Sequence, residues 1–272
     1  MYDVTASIVL YENDPKDIIK AINSFLNTDL NVKLYLVDNS STDKLKELKN
    51  IDEKRIEYIF NNANLGFGKA HNIAIKKAIN ESKYHLVLNP DIWFEKGNLE
   101  KMYEFMEKHP EIGQLMPKVL NPDGSIQYLC KRLPTPFDLF VRRFLPAKLK
   151  PFFKKRFEWY EFRNIGYEKI MEVPALSGCF MFIRTEALKE VGGFDENFFM
   201  YLEDYDLCRR IGEKYKTIYF PEAEVYHGYA MHSYKNNNLL KIHIKSTITY
   251  FNKWGWFFDK KRKELNKKSG KC

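Results

Sequence analysis

The 272-residue sequence lacks the long apolar runs and the paired cysteines that mark two large classes of protein. No uninterrupted apolar run reaches the about 18 residues that a membrane-spanning helix needs, and no charged, apolar and cleavable leader precedes the first strand-like segment. The four cysteines have no CxxC pair and no histidine at metal-ligand spacing, which argues against a zinc site or a disulfide framework. We therefore expect a soluble, cytoplasmic protein in which the cysteines are reduced thiols: Cys130, Cys179, Cys208 and Cys272.

The sequence also lacks the glycine spacing of a GxGxxG or a Walker motif, so neither dinucleotide binding nor P-loop chemistry is indicated. Internal repeats and low-complexity tracts are missing as well. With 44% hydrophobic residues, a chain of this length can bury a substantial core. These features favour one large α/β domain with a smaller appendage.

The formal charge of +8 is concentrated in two stretches that also carry many aromatic rings. Residues 140–163 contain eight Lys or Arg against two Glu, and residues 241–272 contain ten against two acids, so the rest of the chain is acidic. Basic segments with Trp and Phe can lie in the interface of an anionic membrane. We therefore expect peripheral association with the inner face of the plasma membrane. The alternative is that these rings fill the core or a homodimer interface.

Short apolar runs alternate with segments of helical periodicity over the first 95 or so residues. Strands are predicted at 5–10, 33–37, 55–60 and 84–88, with helices starting at Pro15 and after Gly68. This alternation favours a parallel sheet, in which ligands bind beyond the carboxyl ends of the strands. Residues 133–163, with four prolines, read as an insertion, and ordered α/β character returns at residues 176–213.

Three polar clusters follow predicted strands and can therefore share one site. They are VDNSSTD at 37–43, NNANLGFGKAHN at 61–72 and Asn89-Pro-Asp91. The first and third have a plain structural interpretation as a turn or helix cap. In the second cluster, however, two glycines before a helix permit close backbone approach to a phosphate. In the third, a carboxylate at a strand end suits a divalent cation that bridges two phosphates.

A fourth cluster places Glu203, Asp204 and Asp206 within four positions at the start of a predicted helix. Acids stabilise helix amino ends by about 0.3 to 1 kcal/mol each, which accounts for one or two of them. Three carboxylates packed together need charged partners or a catalytic task. A positioned carboxylate can remove a proton from an attacking hydroxyl.

Taken in order, these motifs resemble the family 2 glycosyltransferases of the GT-A fold, particularly the rhamnosyltransferase-like branch that builds bacterial surface polysaccharides. The resemblance covers residues 5–233 and is carried by SIVLYEN, VDNSSTD, NNANLGFGKAHN, LNPDIWF, LSGCFMFIRTEAL, GGFDENFFMYLEDYDLCRRI and VYHG. It implies a Rossmann-like, mostly parallel sheet flanked by helices, with a basic aromatic insertion and a C-terminal helical extension. We expect a GT-A domain over 1–240, with a nucleotide-binding half at 1–95 and an acceptor half at 96–240, followed by the extension at 241–272.

The resemblance also implies a nucleotide-sugar site and a Mg²⁺ or Mn²⁺ site. Asp91 and His227 match the metal ligands, while Asn89 replaces the first Asp of the family's Asp-X-Asp motif. His232, five residues after His227, ranks second. The residues implied for nucleotide-sugar binding are Tyr11, Glu12, Asp38, Asn64, Gly66, Phe67, Lys69, Asn72, Asn89 and Asp91.

By the same resemblance, Asp204 matches the general base, Glu203 is the fallback, and Gly178 and Asp206 would contact the acceptor. The implied reaction is an in-line displacement that inverts the anomeric carbon. The pattern favours transfer of L-rhamnose from dTDP-rhamnose to a hydroxyl of a glycan or lipid-linked glycan. UDP-linked N-acetylhexosamine, galactose or galactofuranose donors remain alternatives.

Two rival classes are less favoured by the sequence. A nucleotidyltransferase should carry a Gly-rich segment with Lys or Arg in its first strand-loop unit, and residues 10–15 lack one. A nucleic-acid-binding protein would explain the basic aromatic stretches but would leave the acidic clusters without a purpose. We therefore expect no nucleic-acid partner.

Overall fold

The computed structural model of the protein describes residues 1–228 and 237–270. The strands are β1 (Tyr2–Leu10), β2 (Val32–Asp38), β3 (Ile56–Phe60), β4 (Ser82–Leu88), β5 (Ile92–Trp93), β6 (Ile112–Leu120), β7 (Met171–Glu172), β8 (Phe180–Arg184) and β9 (Lys216–His227). The helices are α1 (Pro15–Leu26), α2 (Phe67–Glu81), α3 (Asn98–Lys108), α4 (Pro136–Phe144), α5 (Lys154–Tyr160), α6 (Thr185–Val191), α7 (Glu203–Gly212), α8 (Asn237–Trp254) and α9 (Lys260–Lys268). Short 3-10 helices span Lys46–Ile51 and Ala147–Phe153.

The strands form one mixed sheet in the order β3-β2-β1-β4-β8-β6-β9-β5, and β7 pairs with β9. Strands β1 to β4 are parallel, β6 and β9 are parallel to each other, and β8 runs antiparallel between β4 and β6. The expected α/β fold with a mostly parallel sheet is therefore confirmed. The main core lies between this sheet and its flanking helices.

Strand register brings the polar clusters to one edge of the sheet. Leu10 of β1 pairs with Asp38 of β2, and Ile8 pairs with Leu88 of β4. The loops that follow these strands therefore leave the sheet side by side. All three strands are buried along most of their length, as expected for a sheet covered on both faces.

The proline-containing insertion is largely helical. Thr135 caps α4 by accepting a hydrogen bond from the Asp138 backbone, and the Asp138 carboxylate accepts from the Thr135 backbone in return. Arg156 then pairs with the buried Asp138 carboxylate at 2.7 Å, which joins α5 to α4. The prolines begin or interrupt helices without preventing them, because the first turn of a helix tolerates a missing N–H.

The basic C-terminal stretch is a helical extension, and part of it packs into the molecule. Tyr250 and Phe251 of α8 are fully buried against Phe198 and Leu202. The alternative that the rings fill the core is therefore right for these two. By contrast, Phe258 is 97% exposed.

Among the described helices, none combines the length and apolarity that a membrane crossing requires. Cys130, Cys179 and Cys208 are buried free thiols, as expected, and Cys272 lies outside the described residues. Burial raises the pKa of both the Cys179 and the Cys208 thiol to about 12. Neither thiol is therefore a thiolate at neutral pH. The division at residue 240 stays a prediction.

Candidate active site

A cavity of about 730 Å³, here called the strand-end cavity, opens where β1 and β4 end. Its walls come from the loops after these strands, the start of α2 and residues of α8. The site residues expected from the sequence that line it are Tyr11, Asn64, Gly66, Phe67, Asn89 and Asp91. The structure therefore brings together side chains that are up to 80 positions apart in the sequence.

Gly66 cannot be replaced without disturbing the cavity wall. Its φ of +85° lies in the left-handed region, and a Cβ built on it would lie 2.3 Å from the backbone oxygen of Phe199. That oxygen accepts a hydrogen bond of 2.9 Å from the Phe67 backbone N–H. The absence of a side chain at Gly66 thus allows the start of α2 to contact the loop before α7. Phe67 lies where these two parts of the site meet.

Four residues expected to bind the nucleotide sugar do not line the strand-end cavity. The Asp38 carboxylate is fully buried and accepts hydrogen bonds from the Ser40 backbone at 2.8 Å and from the Tyr58 hydroxyl at 2.6 Å. Exposed Glu12 instead accepts from the backbone and hydroxyl of Ser41, and the pKa of its carboxyl is lowered by these bonds. In this structure both carboxylates organise the loops.

The other two, Lys69 and Asn72, face the loop before α7. The amide of Asn72 exchanges hydrogen bonds with the backbone of Phe194, at 2.9 and 2.8 Å. Lys69 lies 3.7 Å from Glu196 and is about half exposed. In this structure both side chains fasten α2 to this loop, and their expected contact with a nucleotide sugar stays a prediction.

At one end of the strand-end cavity, Asp91 and His227 lie close together. Asp91 Oδ1 is 3.3 Å from His227 Nε2, and the Asn89 amide nitrogen is 3.5 Å from the same atom. The other ring nitrogen, Nδ1, is 3.0 Å from the Gln127 side-chain oxygen, which fixes the orientation of the ring. The β5–β9 pairing, with Ile92 opposite His227, sets this approach.

The donor set fits a divalent cation that also binds a diphosphate. Carboxylate and amide oxygens are ordinary ligands of Mg²⁺ and Mn²⁺, and an imidazole with an oriented second nitrogen suits Mn²⁺ better than Mg²⁺. Within residues 1–228 and 237–270, no group of three or more His, Cys, Asp or Glu has metal-binding geometry. An ion held by Asp91 and His227 would take its remaining ligands from phosphate and water. His232 lies outside the described residues.

A second cavity of about 480 Å³, here called the α7 cavity, contains the acidic helix start. Glu203, Asp204 and Gly178 line it, as does Lys131. Asp204 accepts hydrogen bonds from the backbone N–H groups of Gly178, at 3.0 Å, and Tyr205, at 2.9 Å. A Cβ on Gly178 would lie 3.2 Å from the Asp204 Cβ, so a larger residue would displace this carboxylate.

The two adjacent carboxyls have different environments. Glu203 is 5% exposed, and one of its oxygens is buried without a hydrogen-bond partner. Burial, with the neighbouring Asp204 charge as a smaller cause, raises the pKa of Glu203 to about 8. Burial also raises the pKa of Asp204, but its two backbone hydrogen bonds oppose this shift. At neutral pH Asp204 is therefore the better candidate for a proton acceptor.

Asp206 does not reach the α7 cavity, and the expectation that it contacts an acceptor is corrected. Its fully buried carboxylate pairs with Arg210 at 2.8 Å and with Lys253 at 2.7 Å. It also accepts a 2.9 Å hydrogen bond from the Trp254 indole. Successive helical residues are rotated by about 100°, so a residue two positions after Asp204 lies on a nearly opposite face. Asp206 joins α7 to α8.

Sequence reasoning missed several residues of both cavities. The α7 cavity is also lined by Arg142 and Arg143 of α4, His243 of α8 and Tyr160 of α5. The buried ring of His71 lines the strand-end cavity, and burial lowers its pKa well below the usual value. The basic insertion was noticed in the sequence as a charged stretch, but only the fold shows that its arginines face the acidic helix.

Comparison with known proteins identifies the family. The model of the family described as glycosyl transferase family 2 matches residues 7–192. The chain is 30% identical over 238 residues to an N-acetylglucosaminyl-diphospho-decaprenol L-rhamnosyltransferase of Mycobacterium tuberculosis, covering 83% of this chain and 76% of the relative. It is 26% identical to rhamnosyltransferase WbbL of Escherichia coli K12, covering 89% and 91% of the two chains. The chain belongs to glycosyl transferase family 2, in a rhamnosyltransferase-like group, and is a glycosyltransferase.

Solved structures agree on the fold. GalNAc-T7 with UDP, GalNAc and Mn²⁺ has a TM-score of 0.63 at 15% identity, covering 87% of this chain and 45% of that chain. Mannosyltransferase PcManGT from Pyrobaculum calidifontis, in complex with GDP-Man and Mn²⁺, has a TM-score of 0.58 at 16% identity, covering 86% and 59%. This chain thus spans about half the length of these two structures. The fold is GT-A.

Proposed function

We propose that the protein transfers a sugar, with inversion, from a nucleoside diphosphate donor to a hydroxyl of a lipid-linked glycan. In this proposal the strand-end cavity binds the donor and the α7 cavity binds the acceptor. Tyr11, Asn64, Gly66, Phe67 and Asn89 form the donor walls. Gly178 and Asp204 form the floor of the acceptor site.

One observation carries the proposal: the two cavities share a wall. Phe67, Asn89, Met200 and Leu239 line both. A donor with its diphosphate near Asp91 can therefore present its sugar beside this wall, while an acceptor enters from the side of Asp204. An in-line displacement needs the nucleophile and the leaving group on opposite sides of the anomeric carbon.

Asp204 is proposed as the general base. As the acceptor oxygen attacks the anomeric carbon, Asp204 takes its proton, and the bond to the diphosphate oxygen breaks. The hydrogen bonds from Gly178 and Tyr205 keep the carboxylate oriented. Glu203, which burial keeps mostly protonated at neutral pH, preserves a low-charge environment beside the base.

Asp91 and His227 are proposed to hold Mg²⁺ or Mn²⁺, with Asn89 beside them. Such an ion neutralises charge on the departing diphosphate. Gln127 holds the His227 ring in place through Nδ1, with Nε2 3.3 Å from the Asp91 carboxylate.

For the donor, dTDP-L-rhamnose is the first choice, because two relatives carry rhamnosyltransferase names and cover most of the chain. UDP-linked N-acetylhexosamine, galactose and galactofuranose are the second. For the acceptor, the name of the mycobacterial relative makes an N-acetylglucosaminyl diphospholipid the first to test.

The test is a panel of dTDP- and UDP-sugars with this acceptor and Mn²⁺, with the product analysed by NMR. We expect turnover with dTDP-rhamnose and an anomeric configuration opposite to that of the donor. A retained configuration would refute the displacement mechanism. Turnover with a UDP-sugar alone would replace the donor assignment.

A further inference from the structure

An apolar groove lies on the surface beside the proposed acceptor site. This α4–α8 groove, of about 440 Å³, is lined on one side by Phe137, Phe140 and Phe144 of α4. On the other side it is lined by Ile244 and Ile248 of α8, with Trp256 following that helix. All six side chains are classed as exposed, and Phe140 is 62% exposed. A contiguous exposed apolar patch of this kind marks a binding surface far more often than an isolated ring does.

The groove adjoins the α7 cavity. Leu139 and His243 line both, so the two spaces meet at these side chains. The remote end is formed by rings and aliphatic side chains. A ligand that occupies both spaces would place an apolar chain along α4 and α8 and a polar head beside Asp204.

The junction is strongly cationic. Lys131, Arg142 and Arg143 line the α7 cavity. The Glu161 carboxylate is shared by Lys131, Arg142 and Arg163, at 3.1, 2.5 and 2.7 Å. The three cations of the cavity face two carboxylates, Glu161 and Asp204, so the cavity keeps an excess positive charge. Diphosphate oxygens are the natural partners of such a cluster.

From the apolar groove, the two side chains that it shares with the α7 cavity and the cations that line that cavity, we propose that the α4–α8 groove binds the isoprenoid chain of a polyprenyl-diphosphate-linked acceptor. The diphosphate lies against Lys131 and the α4 arginines, and the sugar hydroxyl points toward Asp204. This inference rests on the proposed function and adds to it the site of the lipid.

The shape of the surface favours an isoprenoid ligand over simple contact with a membrane. A membrane surface suits strongly exposed rings such as Phe257 and Phe258, which are 75% and 97% exposed and do not line the groove. The groove is concave and ends at a polar, cationic cavity. Only a ligand with an apolar chain joined to an anionic head complements both parts.

Direct binding provides the first test, with no donor and no vesicles present. Calorimetry with the full chain would compare farnesyl diphosphate, inorganic diphosphate and farnesol, each below its aggregation concentration. Each buried methylene contributes a factor of about four to affinity, so farnesyl diphosphate should bind at least about tenfold more tightly than inorganic diphosphate. Phe140→Asp and Ile248→Asp should remove that difference. Phe258→Asp, outside the groove, should keep it.

Kinetics provide the second test. The N-acetylglucosaminyl diphosphate head group would be offered as its farnesyl ester and as its ethyl ester. Wild type should show a KM about tenfold or more lower for the farnesyl ester. Phe140→Asp and Ile248→Asp should raise only that KM, leaving kcat, the KM for the ethyl ester and the KM for the donor unchanged.

Several results would overturn the inference. One is equal affinity for farnesyl diphosphate and inorganic diphosphate. A second is that the groove variants raise the KM for both esters equally. A third is that the groove variants lose activity only with acceptor embedded in vesicles and that Phe258→Asp loses it equally. The last result would make the groove a membrane contact. Farnesyl diphosphate binding without transfer from any sugar nucleotide would refute the proposed function and leave the groove assignment standing. Equal transfer to the ethyl and farnesyl esters would refute the groove assignment and leave the proposed function standing.

Discussion

At the scale of single residues, the structure gives the adjacent carboxyls of Glu203 and Asp204 different environments. Asp204 keeps two backbone hydrogen bonds that favour its charged form, whereas Glu203 has a buried oxygen without a partner. Hydrogen bonding to the charged form lowers a carboxyl pKa and burial raises it. These environments favour a charged Asp204 beside a mostly protonated Glu203 at neutral pH.

Replacing Asp204 by Asn should lower kcat by about 10² to 10⁴-fold, because it removes the proton acceptor and preserves the side-chain shape. The KM for the donor should stay near the wild-type value, since Asp204 lies in the α7 cavity and not among the residues of the strand-end cavity. Steady-state kinetics with saturating acceptor measure both. Glu203→Gln is the matched control and should lose far less activity. The opposite ranking would transfer the base role to Glu203.

The raised pKa of Glu203 predicts how stability depends on pH. Between about 4.5, the unfolded value, and about 8, the folded value, the native state holds a proton that the unfolded state has released. Stability therefore falls as pH rises through this window, by up to about 1.4 kcal/mol per pH unit. Glu203→Gln should be more stable than wild type at pH 7, and this advantage should shrink as the pH is lowered toward 4.5. Denaturant titrations of both proteins at several pH values measure this difference. A difference in the free energy of unfolding that stays constant with pH would contradict the prediction.

The metal assignment leads to a prediction that does not depend on turnover. Asp91→Ala should weaken the binding of Mn²⁺ in the presence of dTDP or UDP, because it removes the carboxylate that lies 3.3 Å from His227. Paramagnetic resonance of free Mn²⁺ measures this directly. Asp17→Ala, which removes another acid from the same cavity, is the control. Equal Mn²⁺ binding by Asp91→Ala and wild type would exclude Asp91 as a ligand.

At the scale of secondary-structure elements, α7 has two functions on two faces. Asp204 faces the cavity, and Asp206 fastens α8 through Arg210, Lys253 and Trp254. Residues 201 and 202, just before the helix, both have left-handed backbone angles, with φ of 73° and 67°. Such conformations cost energy in residues other than glycine and occur often at functional sites. The turn sets the direction in which the acidic helix start points.

Asp206→Asn should destabilise the protein by about 3 kcal/mol, the lower part of the range for breaking a buried ion pair, because both cations keep some solvent contact. Hydrogen exchange should show the loss first in α8. Glu190→Gln, which breaks the exposed Lys214 pair, should cost at most about 1 kcal/mol. An equal loss of stability in the two variants would contradict a structural role for Asp206.

The elements themselves could largely be predicted from sequence, because periodicity and strand length are local properties. Strands β1 to β4 begin and end within about three residues of expectation. Contacts such as Asp206 with Trp254, separated by 48 positions, are not local, and no pattern in one sequence reports them. The same reason explains why Arg142 and His243 were missed.

At the scale of the whole molecule, the insertion at 133–163 and the C-terminal extension meet in space. The Asn266 side chain of α9 exchanges hydrogen bonds with the backbone of Leu133, and Arg262 donates to the oxygen of Pro134. The insertion and the C-terminal extension thus form one basic region beside the proposed acceptor site. Its outermost rings, Phe152 and Phe258, are 83% and 97% exposed.

This basic region predicts binding to anionic membranes. Each Lys or Arg near an anionic surface contributes about 1 kcal/mol, and this attraction is screened as the Debye length falls below about 10 Å. The protein should therefore sediment with anionic liposomes at low salt and be released at high salt.

Deleting the C-terminal stretch is unsuitable as a test, because Tyr250 and Phe251 belong to the core. Phe257→Glu with Phe258→Glu should instead weaken the binding several-fold, since it places acids among exposed rings, while thermal stability stays unchanged. Ile51→Glu, an exposed apolar site in the 3-10 helix after β2, is the control. Equal sedimentation with neutral and anionic liposomes, or none with either, would instead assign these rings to contact with a partner protein.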